Sequence, residues 1–196
     1  MKTNVIIISG IAGSGKSTLA ESLSKELGWK CVHASDILRQ LKNKKMEEID
    51  PYKTKQGKGY WESDESMQYN KERLQNLDWD KLTNEKLYEL VEEGNVVFDA
   101  WTLPWLTKGL KIWLKVSPEE RTKRLAKRDN LSVEEARKRV QEKEKQTIAI
   151  FEKAFKFKFG EDLSPFHLVL DTNPLNASGV LKIVSCFCSV WMEKEQ

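Results

Sequence analysis

Cysteine is scarce in this sequence: Cys31, Cys186 and Cys188 are the only three in a chain of 196 residues. An odd count without framework spacing argues against a secreted disulfide scaffold. Cys186-x-Cys188 is also one residue short of a redox or zinc pair and reads as ordinary packing. Long apolar runs are missing too. The run at positions 5–8 is too short for the hydrophobic region of a signal peptide, and no run approaches a membrane span. Neither charge sign dominates, with 33 Lys and Arg against 30 Asp and Glu and a net charge of +3. That small excess excludes a nucleic-acid coat or a membrane-surface protein. Repeats, low-complexity segments and obvious linkers are absent. What remains is a soluble, cytoplasmic chain of one domain, expected to be a monomer or a weak dimer. At 39% hydrophobic and 9% aromatic residues it is too apolar to be disordered.

Strand and helix signals alternate along the chain. Val5-Ile6-Ile7-Ile8 is continuously apolar and β-branched, as in a strand buried on both faces. A Gly-rich turn follows, then a helix over 16–27, with Leu19, Leu23 and Leu27 on one face and Gly28 as its C-terminal cap. A second strand is expected over 29–32 and a second helix over 35–46. Residues 63–93 read as two helices broken near 76–80. Strands are expected at 95–99, 110–116 and 166–170, and a closing helix at 177–192. Ser117-Pro118-Glu119-Glu120 and Ser132-Val133-Glu134-Glu135 are capping boxes that open two further helices. The alternation predicts a three-layer α/β/α fold around a five-stranded parallel sheet, with ligands at the carboxyl ends of the strands.

Gly10-Ile11-Ala12-Gly13-Ser14-Gly15-Lys16-Ser17 fits the phosphate-loop pattern G-x-x-x-x-G-K-[ST] in full. Average residue usage would produce such a match in a chain of this length roughly once in a hundred. The glycines let successive N–H groups turn inward toward phosphate oxygens. The start of the following helix adds its partial positive charge. Gly10, Ala12, Gly13, Ser14, Gly15, Lys16, Ser17 and Thr18 are therefore the expected ATP-binding residues. Lys16 would reach the outer phosphates and Ser17 would ligate Mg²⁺. A second Mg²⁺-side carboxylate belongs after an apolar strand, and Val96-Val97-Phe98-Asp99 offers Asp99. Asp171 competes for that role, but Asn173-Pro174 beside it favours a turn.

The loop, the short chain and Ala34-Ser35-Asp36-Ile37-Leu38-Arg39 resemble the nucleoside monophosphate kinases, and within them the archaeal-type cytidylate kinases. Those enzymes carry a pattern like SAGDIFR at this place. The resemblance implies a P-loop kinase fold, with a helical acceptor subdomain over about 35–93 and a short lid over about 121–147. It implies that Arg39, with Asp36, grips the phosphate of an acceptor nucleotide of the CMP or dCMP type. It also implies that Arg124 and Arg128 contact the transferred phosphoryl group. Arg121 lies off the row that those two form on the same helix.

Arg73 is a further candidate for orienting the acceptor phosphate. Tyr60, Trp61 and Trp101 are candidates either for stacking on a base or for packing. The chain also departs from that family. An arginine usual after the third strand is replaced by Ala100-Trp101-Thr102, and the lid helix carries Lys143 and Lys145 rather than arginines. These departures leave two alternatives open. One is an ATPase switch in ribosome assembly, the only reading that admits a nucleic-acid partner. The other is a kinase of a non-nucleotide metabolite.

Overall fold

β1, Val5–Gly10, is buried along its whole length, and its alternate side chains supply both faces of the molecule. Val5 and Ile7 point into one core, while Ile6 and Ile8 point into the other. A computed structural model describes residues 4–53, 63–156 and 158–194. Trp61, together with Tyr60, lies outside the described residues. Five strands form one parallel sheet in the order β2-β3-β1-β4-β5. The others are β2 (Lys30–His33), β3 (Val96–Asp99), β4 (Leu110–Lys115) and β5 (Leu168–Asp171).

One core packs β1 and β3 against α2 (Ala34–Leu41) and α4 (Asp78–Glu93) through Ile37, Leu41, Leu87 and Leu90. The opposite core packs β1 and β4 against α1 (Lys16–Leu27) and α8 (Ala177–Lys194) through Leu19, Leu23, Val180 and Val184. This is the predicted three-layer α/β/α arrangement. The remaining helices are α3 (Asp64–Gln75), α5 (Leu103–Leu106), α6 (Pro118–Asp129) and α7 (Val133–Phe155). No helix among the described residues is long and apolar enough to cross a membrane.

The chain leaves β1 toward β2 on one side, then returns across it to build β4 and β5 on the other. This reversal puts the end of β1 at the crevice where open α/β sheets bind ligands.

Most local signals act as read. Gly28 caps α1 in the left-handed conformation. The Ser117 and Ser132 hydroxyls accept from the backbone N–H of Glu120 and Glu135 and so start α6 and α7. The expected helix over 35–46 is shorter, ending at Leu41 and followed by a 3-10 turn at Met46–Glu48. The Gln40 amide explains the stop. It exchanges two hydrogen bonds with the backbone of Asp50 and folds the chain back. The four-residue helix α5 was not expected, although Pro104 stands in its first turn. The Asp171 carboxylate accepts from the backbone and side-chain amides of Asn173, as a turn residue does.

Candidate active site

Gly10 to Ser17 fill the crevice at the end of β1. Gly13 has φ +79° and Gly15 φ +98°, so the backbone curls as the motif requires. At Gly13 a Cβ would also stand 2.9 Å from the Cβ of Arg121 and 3.1 Å from its carbonyl oxygen. Gly13→Ala is therefore expected to destabilise the fold by about 1–2 kcal/mol from backbone conformation alone, and by more from the clash, as urea unfolding would measure. The Lys16 ammonium donates to the Ile11 carbonyl at 3.0 Å and lies 5.2 Å from the centre of the Trp101 ring. The Ser14 hydroxyl is buried without a hydrogen-bond partner, an orphaned polar atom inside the loop.

Strand register brings the carboxylate to the loop. Asp99 ends β3 beside Ile8 of β1 and beside His33, the last residue of β2. The Ser17 hydroxyl donates to Asp99 Oδ2 at 2.5 Å, and His33 Nδ1 lies 3.1 Å from the same oxygen. Burial alone would push the Asp99 carboxyl up. Its hydrogen bonds with His33 and Ser17 and the nearby charge of Lys16 hold it below the usual carboxylate range. Burial likewise opposes a charged His33, but its contacts with Asp99 and Cys31 raise it to about 11, an imidazolium.

A hydroxyl and a carboxylate facing each other at the phosphate loop make a hard-oxygen pair. They suit Mg²⁺, which takes one or two carboxylates together with substrate phosphates.

Asp36, buried in the first turn of α2, forms an ion pair with Arg39 in its last turn. Burial raises the Asp36 carboxyl, against the charges of Arg39 and His33, so this pair sits in the field of the His33–Asp99 cluster.

Arg73 is placed elsewhere than expected. Its side chain is 3% exposed, and all three guanidinium nitrogens are bonded: Nε and Nη2 to the Asp80 carboxylate, Nη1 to Asn70 Oδ1. The guanidinium expected to orient an acceptor phosphate is engaged within the protein: its Nε–Nη2 edge ties α3 to Asp80 of α4, and Nη1 is bonded inside α3.

Arg124 turns to Glu120 and to the hydroxyl and carbonyl of Thr172, just beyond β5. Arg128 grips Asp129 with two bonds of 2.7 Å. The side of α6 that meets the loop carries Arg121 instead. Trp101 stacks on Phe159 at 4.7 Å and meets Phe151 edge-on. One face of its ring is therefore spent on packing, the second of the two roles weighed for it.

Sequence reasoning passed over His33 and set Arg121 off the row of Arg124 and Arg128 without giving it a role. His33 stands where the SAGDIFR pattern has serine. Its signal lies in pairing β2 with β3, which sets two strand ends side by side.

Known proteins resemble this chain in sequence and in fold. A model of the cytidylate kinase-like family matches residues 5–174. The cytidylate kinase of Methanopyrus kandleri is 30% identical to this chain, with 97% of the chain and 96% of the relative covered. The cytidylate kinase of Pyrococcus abyssi is also 30% identical, with the same coverage. Among solved structures, deoxyadenosine kinase from M. mycoides superposes with a TM-score of 0.51 at 18% identity, covering 94% of this chain and 99% of that one, a likeness of fold. The matched family model, the near full-length relatives and the phosphate loop at the sheet crevice lead to one conclusion: this chain belongs to the cytidylate kinase-like family and is a P-loop phosphotransferase.

Proposed function

We propose that this chain moves the terminal phosphoryl group of ATP, with Mg²⁺, onto a nucleoside monophosphate, CMP or dCMP being favoured. The observation that carries the reading is the 2.5 Å approach of Ser17 to Asp99 at the mouth of a complete phosphate loop. The loop N–H groups and the start of α1 bind the donor phosphates. Lys16 leaves the Ile11 carbonyl for the outer phosphates. Mg²⁺ held by Ser17 and Asp99 would supply charge neutralisation across those phosphates. His33 positions the carboxylate, and Arg39, braced by Asp36, orients the acceptor. An acceptor phosphate oxygen then forms the new P–O bond as the bond to the bridging oxygen of ATP breaks and ADP leaves. The chemistry is mainly positioning and charge stabilisation. Residues 35–93 would form the acceptor side, and α6 with α7 the lid over 121–147.

One observation favours a second reading. Trp101 and its aromatic neighbours occupy the place after β3 where the resemblance to cytidylate kinases implies an arginine. That would suit a metabolite acceptor without a phosphate.

ADP release should be measured with ATP alone and with CMP, dCMP, UMP, AMP, GMP or TMP added. Turnover of about 1–100 per second is expected with CMP or dCMP. Absence of stimulation by any of the six overturns the nucleotide reading. Stimulation of ATP hydrolysis by RNA or ribosomal protein alone would favour the ATPase switch.

A further inference from the structure

Two buried arginines in this protein are differently used. Arg73 is bonded through every guanidinium nitrogen. Arg121, whose side chain is 8% exposed, is bonded through one: Nη2 donates to Glu144 Oε2 of α7 at 2.6 Å. Its Nε and Nη1 are buried with no partner. Unmet buried donors on a permanently charged group are costly, and native structures rarely keep them without a use.

The surroundings indicate the use. The Cβ and carbonyl of Arg121 border Gly13 of the phosphate loop. Leu125, one turn on, packs with Ala12 of the loop and with Val140 of α7. Arg121 thus lies where the loop, α6 and α7 meet, with a half-used fork whose shape matches phosphate oxygens.

We propose that Arg121 binds the terminal phosphate of the donor nucleotide and that Glu144 is its resting counter-ion. The proposal rests on the loop being a triphosphate site. It gives α6 a phosphate-binding residue distinct from Arg124 and Arg128, whose fork edges lie on Thr172, Glu120 and Asp129. The carboxylate of Glu144 and the terminal phosphate then compete for one guanidinium, so donor binding loosens the Arg121 tie between α6 and α7.

Calorimetric titration of the full chain with the imido analogue of ATP and, separately, with ADP tests this. Arg121→Gln is expected to weaken the ATP analogue about 10- to 100-fold and ADP less than threefold. Arg121→Lys keeps the charge but loses the fork, and should show an intermediate loss confined to the ATP analogue. It also serves if the Gln variant does not fold. Glu144→Gln should tighten the analogue about threefold or more, because the competitor has gone.

A purely structural ion pair predicts otherwise: both partners' variants would lose stability and weaken both nucleotides alike. Equal losses for ATP analogue and ADP, or weaker analogue binding in Glu144→Gln, overturn the proposal. Lys16→Ala separates the two levels. If it abolishes binding while Arg121→Gln does not, the triphosphate site stands and only the role of Arg121 falls. If the unaltered chain binds neither nucleotide, both fall.

Discussion

Replacing Lys16 with alanine is expected to lower phosphoryl transfer by about 10²–10³-fold, the loss typical when one preorganised charge-stabilising donor is removed. Lys16 is buried beneath the ring of Trp101, and its ammonium is held by the Ile11 carbonyl of its own loop. The cation is thus stored within the phosphate cradle, in a site that excludes water and strengthens its pull on an arriving anion. Alanine removes the charge but leaves the helix intact, since alanine is the best helix former. The thermal unfolding midpoint should therefore move little while steady-state ADP release collapses. Retained turnover would show that the loop is not the catalytic phosphate site.

The second large effect concerns the fold. Asp80→Ala should destabilise the protein by about 3–5 kcal/mol, because it leaves the Arg73 guanidinium buried without its carboxylate. In a domain of this size that corresponds to a fall of about 6–20 °C in Tm. A double replacement, Arg73→Met with Asp80→Leu, should recover much of the loss, since apolar pairs of similar volume often match or exceed a buried ion pair. Differential scanning calorimetry of the single and double variants measures both. A single variant as stable as the parent would show that the pair does not hold α3 to α4.

Legibility in the sequence followed the range of the interactions. The loop, the buried strand β1 and the caps at Gly28, Ser117 and Ser132 were readable because each depends on residues a few positions apart. Asp99 was readable because a strand-terminal carboxylate after an apolar run is itself a local pattern. The arginines were not. The sequence offers Arg73 for a phosphate, whereas its partner Asp80 lies across a helix break, and only the packing of α3 on α4 closes that pair.

Helical spacing correctly set Arg121 apart from Arg124 and Arg128. It could not say which side of α6 would meet the loop, because that depends on how α6 seats against Gly13. His33 was silent for a related reason: its proximity to Asp99 comes from neighbouring strands whose sequences are 66 residues apart.

α7 has a mechanical consequence. It is one unbroken helix of 23 residues, about 35 Å long at 1.5 Å per residue. Glu144 grips α6 near its middle, and toward its end Lys153 donates to the Leu74 carbonyl of α3 at 2.6 Å. Ile150 and Phe151 root it in the aromatic cluster between these two points. A rod fixed in this way cannot shift beside the phosphate loop without levering against α3. The pivot is the aromatic cluster, and the lever arm is set by helix length rather than by any flexible joint.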